Sequence, residues 1–287
     1  TIFFFMKNKT ISKKNFFSKF IAKIVRKFGY EIIDQANLEV TETNILASEN
    51  LSKSGEKSIT VPLGSTKITN KINSLSIIIR SYTFGDKDND QVMLDQSKKR
   101  IFDAPKIEYT LRTIKSVNKS CESARNNFKD LKIKIFITDD KSNDENLSKI
   151  NKILNITDIE TKLININENE FINEISSTDI EGKEISRNMI SNMRNILKSI
   201  QIAENDNSDL FYFLEDDYIH IDEAISEMLF TYEKISSQLS KELFLCPADY
   251  PYLYSTIDNT KLFFGNMRHW RTVNESLITF LTSKKMI

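Results

Sequence analysis

The sequence predicts an α/β protein with a mostly parallel central sheet. Four short apolar runs are separated by longer segments in which apolar residues recur at helical spacing. Strands that alternate with helices in this way form βαβ units, which build parallel sheets covered by helices. Three of the four runs end in polar or charged sequence, at the carboxyl ends where such sheets bind their ligands.

The strands are predicted from the apolar runs themselves. They are SLSIIIR (74–80), LKIKIFIT (131–138), KLININ (162–167) and LFYFL (210–214). The isoleucine run of the first lacks helical periodicity, which favours a strand buried inside the sheet.

The helices are predicted between and after these strands. Pro105 opens a helical pattern that continues to Val117, and ENLSKINKIL forms a short helix after the second strand. Residues 184–204 place six apolar side chains on one helical face, and IDEAISEMLFTYEKI begins a further helix after the fourth strand.

Residues 1–72 are expected to form an N-terminal extension with helical and hairpin segments. Residues 14–30 combine apolar side chains at helical spacing with basic residues on the other side. Such a helix either packs on the body of the protein with its lysines in water, or lies on an anionic membrane surface. Two short alternating runs, KSITVPL and TKITNKI, predict a hairpin.

Composition excludes several classes of protein. Forty acidic residues balance forty basic ones, so the net charge does not indicate a nucleic-acid partner. Two distant cysteines, Cys121 and Cys246, argue against a disulfide framework or a zinc knuckle and fit a reducing compartment. No apolar run approaches the roughly 18 residues of a membrane-spanning helix. The expected location is therefore the cytoplasm, with peripheral membrane association if residues 14–30 lie on a membrane.

The segment FYFLEDDYIH (211–220) runs from an apolar strand straight into three acids, Glu215, Asp216 and Asp217. Adjacent like charges repel, and removing a carboxylate from water without a partner is costly. The acids therefore either face water at a turn or surround a cation. Water alone explains them poorly, because the strand before them continues the sheet inward.

The acidic segment and the strand end before it in the chain resemble motifs of a known family. IFITDDKSND followed by FYFLEDDY resembles the paired motifs of family 2 glycosyltransferases with the GT-A fold. TLRTIKSV resembles the first helix of that family, and SRNMISN resembles its helix before the metal-binding strand. The resemblance covers roughly residues 74–220, with two departures: Lys141 replaces the usual glycine, and TFGDKDNDQVMLDQSKKRIFDA lengthens the first loop.

The resemblance implies a GT-A type domain with a Rossmann-like sheet over residues 73–287. Its nucleotide-binding half would be about 73–220 and its acceptor half about 221–287. The implied function is metal-dependent transfer of a sugar, with inversion, from a nucleotide-diphosphate donor to a glycan or lipid-linked acceptor. Surface polysaccharide or glycoconjugate synthesis would be the setting.

The family's donor site maps onto named residues of this chain. The resemblance implies that Asp217 binds Mn²⁺ or Mg²⁺, which stabilises the leaving diphosphate as a Lewis acid. Asp216 would lie near the ribose or a metal-bound water, with Glu215 in support. Asp140 would hydrogen-bond the base or ribose. Arg80, Ser81 and Tyr82 would lie beside the nucleotide.

The last third of the sequence offers candidates for the rest of the site. Inversion requires a general base on the acceptor hydroxyl. Asp249, which follows the run LFLCPA, is the first candidate, and Glu275 is the second. His269 in GNMRHWR either completes the metal shell, as a late histidine does in several GT-A families, or only packs beside Trp270. His220 is expected to be structural.

Two other functional classes stay open. A sugar nucleotidyltransferase usually carries a glycine-rich basic phosphate loop after its first strand, and RSYTFGDKD does not provide one. A non-catalytic nucleotide-sugar-binding partner subunit would not need intact acids in both motifs.

Overall fold

The structure is a computed structural model, and it describes the chain in part. The described residues are 21, 24, 25, 27, 28, 58–61, 64–83, 104–178, 181–248, 250 and 260–287. The chain forms two compact units, Thr1–Thr43 and Asn44–Ile287. In the first unit the described positions 21, 24, 25 and 27 are helical. The boundary predicted at residue 72 lies inside the second unit.

The second unit contains nine described strands. In chain order they are β1 (Ser58–Val61), β2 (Gly64–Lys67), β3 (Ser74–Ser81), β4 (Lys132–Asp139), β5 (Glu160–Asn165), β6 (Leu210–Glu215), β7 (Leu262–Phe264), β8 (His269–Arg271) and β9 (Phe280–Ser283). β1 and β2 pair as an antiparallel hairpin, and β7 and β8 form a second one. β1 lies within the predicted run KSITVPL, but β2 overlaps the predicted run TKITNKI only at residues 66 and 67.

Five strands build the central sheet in the order β5–β4–β3–β6–β9. The first four are parallel and β9 runs antiparallel at the edge. Each of the four strands predicted from the sequence is present, and their bounds differ by no more than two residues. The prediction of an α/β fold with a mostly parallel sheet is confirmed, and this arrangement is consistent with a GT-A type fold.

Four described helices cover the sheet: α1 (Lys106–Asn127), α2 (Asp144–Leu154), α3 (Arg187–Asn205) and α4 (Ala224–Leu239). The side chains of Asn143 and Ser186 accept backbone N–H groups at the starts of α2 and α3, which fixes where these helices begin. Among the residues that the structure describes, no helix has the length and apolar character needed to cross a membrane.

The core lies on both faces of β3, as its isoleucine run predicts. Ile77 and Ile79 belong to the larger cluster, which includes buried side chains of α1, α2 and α4. Ile78 points to the opposite face and packs with Phe211, Phe213 and residues of α3. The helices on the two faces leave the carboxyl edge of the sheet for polar side chains.

The chain segment before β3 is fixed to α4 by hydrogen bonds. The amides of Thr69 and Asn70 donate to Ser237 Oγ at 3.0 and 3.3 Å, and the amide of Ile72 donates to Glu233 at 2.8 Å. These bonds tie residues 69–72 directly to the body of the second unit.

Candidate active site

The three acids after β6 lie in three different environments. Glu215 forms an ion pair of 3.0 Å with Arg80. Asp216 is buried and pairs with Lys106 at 2.6 Å, while the same ammonium lies 3.4 Å from Asp217 Oδ2. Asp217 is the most exposed of the three, with 38 % of its side chain in contact with solvent. The acids therefore face cations, as one of the two sequence-based alternatives predicted, and these cations belong to the protein.

Arg80 joins two parts of the molecule at this site. It is the penultimate residue of β3 and lies directly opposite Glu215 in the register, and its guanidinium also donates to the carbonyl of Ile278 at 3.1 Å. Burial raises the pKa of Glu215, and the positive charge of Arg80 opposes that rise. The contact with Ile278 fixes the end of segment 272–279, which connects β8 to β9, beside the acids.

Asp216 is held by Lys106 and Thr110, which the sequence analysis did not single out, and by the amide of Tyr82. Its Oδ2 accepts from Thr110 Oγ at 2.7 Å and from the amide of Tyr82 at 3.4 Å, while Oδ1 faces Lys106. Lys106 and Thr110 are four residues apart at the start of α1, so both point to the same side of the helix. That spacing, on the helix after the first strand, was the available signal.

The turn after β4 explains one departure from the family pattern. Asp139 accepts from the amide and the hydroxyl of Ser142, at 2.9 and 2.6 Å, and so closes the turn. Lys141 within it has a φ of 73°, in the left-handed region where glycine is unstrained. A glycine, as in the motif that the sequence resembles, suits this backbone, and Lys141 adopts it at a steric cost of about 1 kcal/mol. Burial raises the pKa of Asp139.

Asp140 is buried against α3, and together with polar side chains of that helix it forms a polar wall. It is fully buried, and its Oδ2 pairs with Arg194 at 3.3 Å. Its Oδ1 has no hydrogen-bond partner among the described residues, and the same holds for Ser191 Oγ and Asn195 Oδ1 on α3. A buried polar atom without a partner is costly, so these atoms are suited to a polar ligand.

The same face of α3 reaches the end of β3. Asn195 Nδ2 donates to the carbonyl of Ser81 at 3.3 Å, and Tyr82 Oη donates to Asn188 Oδ1 at 2.9 Å. The predicted residues Ser81, Tyr82 and Asp140 therefore share one wall. The buried side chains of α3 are Ser191, Asn195, Ser199 and Ala203, so the helix turns a small and mostly polar face to the protein. The sequence analysis had expected the apolar side chains of residues 184–204 to form the packed face, and it missed this polar stripe.

Of the three late candidates, His269 and Glu275 are among the described residues. His269 is exposed on β8, and its ring packs edge-on against Phe264 at 5.1 Å. Glu275 is exposed on segment 272–279, three residues before the Ile278 that contacts Arg80. Asp249 lies outside the described residues. Within the described part of the chain, no group of three or more His, Cys, Asp or Glu side chains is placed to hold a metal ion.

The other histidine has the structural environment that the sequence analysis expected. His220 is mostly buried, with Nε2 2.9 Å from the hydroxyl of Tyr212, and burial lowers its pKa to about 4. Its amide donates to Ser116 of α1 at 3.0 Å, which fixes the chain just beyond the acids.

No protein-family model and no curated protein sequence matches this chain. Two solved structures are similar to part of it. The crystal structure of S. aureus TarS 1-349 aligns at 13 % identity and a TM-score of 0.32, over 60 % of this chain and 34 % of that one. That of S. aureus TarS aligns at 13 % identity and a TM-score of 0.33, over 60 % of this chain and 21 % of that one. The chain thus spans about a third and about a fifth of their lengths. Neither likeness assigns a family.

Proposed function

We propose that this chain is a glycosyltransferase that uses a nucleotide-diphosphate sugar. The observation that supports this proposal most is that a buried polar wall and the half-exposed acid Asp217 lie at the same edge of the sheet. Asp140, directly after β4, has a buried carboxylate oxygen with no hydrogen-bond partner among the described residues. Asp217 follows β6, on the other side of β3. A nucleoside and its diphosphate would contact these two regions in turn.

The polar wall supports binding of a nucleoside. An ionised carboxylate only accepts hydrogen bonds, so the ligand atom facing Asp140 Oδ1 must donate. The N–H of a pyrimidine base and the hydroxyls of a ribose are such donors. Ser191 and Asn195 carry further buried oxygens without partners among the described residues, which extends the site along α3.

The chemistry of Asp217 fits a divalent cation that comes with the diphosphate. Mg²⁺ and Mn²⁺ prefer hard oxygen ligands, and Mg²⁺ typically binds one or two carboxylates together with substrate phosphates. Asp217 is a half-exposed carboxylate, and the described residues assemble no larger ligand group. Bound there, the metal would supply Lewis-acid stabilisation of the leaving diphosphate. His269, exposed on β8, is a proposed additional ligand.

The acceptor side of the proposal is a single displacement with inversion. A carboxylate takes the proton from the acceptor hydroxyl. The hydroxyl oxygen of the acceptor bonds to the anomeric carbon of the donor sugar, and the bond from that carbon to the diphosphate breaks. Glu275 and Asp249 are the candidates for this base. A glycan or a lipid-linked saccharide is the proposed acceptor, in the synthesis of a surface polysaccharide or glycoconjugate.

Calorimetric titration with uridine diphosphate, with and without Mn²⁺, tests the donor site. We expect Mn²⁺ to tighten binding by at least about tenfold in the wild type. Asp217→Asn should lose this dependence, whereas Asp222→Asn should keep it. Asp222 is a matched control because it is an acid of similar exposure whose partner is Lys119 on the surface.

Three outcomes would overturn the proposal. One is the absence of binding of any nucleoside diphosphate by the wild type. Another is an unchanged Mn²⁺ effect in Asp217→Asn. The third is release of pyrophosphate from a nucleoside triphosphate and a sugar phosphate, which would identify a nucleotidyltransferase.

A further inference from the structure

Lys106 occupies a central position among the acids. Its ammonium lies 2.6 Å from Asp216 Oδ1 and 3.4 Å from Asp217 Oδ2, and 23 % of its side chain is exposed. Arg80 lies 3.0 Å from Glu215. Three carboxylates therefore have two protein cations beside them before any ligand binds.

We propose that Lys106 is a resident counter-ion that keeps a divalent cation away from Asp217 until a nucleoside diphosphate arrives. Metal and diphosphate are then taken up as one unit. The proposal rests on the proposed function, because it concerns the same donor site.

Electrostatics gives the reason for the exclusion. An ammonium group has three donors and no lone pair, so Lys106 cannot share a metal as a ligand. A divalent cation on Asp217 would lie within a few ångströms of this like charge, and the repulsion is strong where the surroundings are partly desolvated. A metal ion alone must therefore displace Lys106 from Asp217.

The diphosphate removes this obstacle. A lysine is a compact charge on a flexible stem and binds phosphate well. With the diphosphate present, the ammonium can turn from Asp217 to a phosphate oxygen while Asp216 still holds it. Thr110 fixes the other oxygen of Asp216 at 2.7 Å, so the anchor stays in place. Asp217 is then available to the metal, which the phosphates also bind.

This arrangement makes the two ligands cooperative. If the diphosphate raises the affinity for the metal by some factor, the metal must raise the affinity for the diphosphate by the same factor. Lys106 sets part of that factor, because its ammonium weakens metal binding only when no phosphate is present to form an ion pair with it.

The test measures binding of Mn²⁺ alone by electron paramagnetic resonance, without nucleotide. Lys106→Met removes the charge and keeps most of the apolar stem, and we expect it to bind Mn²⁺ about tenfold more tightly than the wild type. Lys119→Met is the control and should bind as the wild type does. Lys119 lies on the same helix and pairs at 2.8 Å with the surface residue Asp222.

The same variants then receive uridine diphosphate. Lys106→Met should show a smaller mutual enhancement between Mn²⁺ and the nucleotide. Lys106→Arg, which keeps the charge, should resemble the wild type when Mn²⁺ is added alone. Circular dichroism checks folding, and Lys106→Gln repeats the measurement if the methionine variant is unfolded.

The counter-ion proposal and the proposed function fail in different ways. An unchanged or weaker affinity of Lys106→Met for Mn²⁺ overturns the counter-ion role, even if the wild type binds uridine diphosphate with Mn²⁺. Absence of nucleotide binding by the wild type overturns the proposed function, whatever Mn²⁺ does alone.

Discussion

At the scale of single residues, Glu233 shows how burial links protonation to stability. Its side chain is 2 % exposed on α4, and its carboxylate accepts from the amide of Ile72 at 2.8 Å. Burial raises its pKa from 4.5 to about 7. The folded protein therefore holds this proton more tightly than the unfolded chain does. The stabilising contribution is fully present below about pH 4.5 and is lost as the pH rises through 7.

Glu233→Gln should remove this pH dependence. The amide oxygen can still accept from Ile72, and no charge is buried at high pH. We expect the free energy of unfolding of the variant, relative to the wild type, to be about 2 kcal/mol higher at pH 8 than at pH 5. Urea denaturation at the two pH values measures it, with the exposed Glu204→Gln as control. An equal gain at both pH values would assign the effect to something other than ionisation.

The site residues differ in how far the sequence predicts them. Asp140 and the acids 215–217 lie in motifs at strand ends. A parallel sheet brings the carboxyl ends of its strands to one edge, independently of the loop conformations. Lys106 and Arg194 reach these acids from α1 and α3. Their contacts depend on how each helix is rotated and placed against the sheet. The spacing of Lys106 and Thr110 indicates that both lie on one side of α1, but local sequence does not tell that this side faces the acids, so these partners were missed.

At the scale of elements, the β7–β8 hairpin depends on α4. Each of its strands has three residues, too short to be stable without packing. The turn wraps around the buried carboxylate of Glu227, which accepts from the amides of Asn266 and Met267, at 3.1 and 2.7 Å, and from Trp270 Nε1 at 3.0 Å. A Cβ at Gly265 would overlap Glu227 and Trp270, so the close approach requires glycine here.

Glu227→Ala should loosen the hairpin without unfolding α4. Three or more N–H groups would lose an acceptor, and hydrogen bonds to a charged group contribute about 1.5–3 kcal/mol each. We expect the amides of residues 266–268 to exchange with deuterium at least about 30-fold faster, equivalent to about 2 kcal/mol. Mass spectrometry of the hairpin peptides measures this.

Glu223→Ala is the matched control for the hairpin. It lies one turn earlier, is exposed, and makes no side-chain capping bond at the start of α4. It should leave exchange in the hairpin unchanged. Unchanged exchange in Glu227→Ala, or a loss of protection spread evenly over α4, would contradict the anchoring role.

The strands of this hairpin and the edge strand β9 were not predicted from the sequence. β3 and β6 carry continuous apolar runs that are buried on both faces, and burial between helices demands such runs. The run LKIKIFIT of β4 alternates apolar and polar residues at its start, and the run KLININ of β5 does so at its end, which is also a recognisable pattern. By contrast, β7, β8 and β9 have at most four residues each, and β9 is defined by its pairing with β6. Strands this short carry too few residues for a periodic pattern, so only the tertiary structure shows them.

At the scale of the whole molecule, the sheet order brings the residues of the proposed donor site and segment 272–279 to one edge of the sheet. β3 lies between β4 and β6, so Arg80, Asp140 and the three acids all lie at adjacent strand ends. The hydrogen bond from Arg80 to Ile278 brings segment 272–279 to the same edge. Glu275 on this segment is exposed, so an acceptor hydroxyl can reach it.

Glu275→Gln should therefore lower turnover while leaving donor binding intact. A general base contributes typically about 10²–10⁴-fold, so we expect kcat to fall at least about 100-fold, with uridine diphosphate and Mn²⁺ bound as in the wild type. Asp249→Asn is measured in parallel, and nuclear magnetic resonance of the product should show the inverted anomer. Near-normal turnover in Glu275→Gln with a loss in Asp249→Asn would assign the base to Asp249. Near-normal turnover in both, or a retained anomer, would exclude a single displacement assisted by either carboxylate.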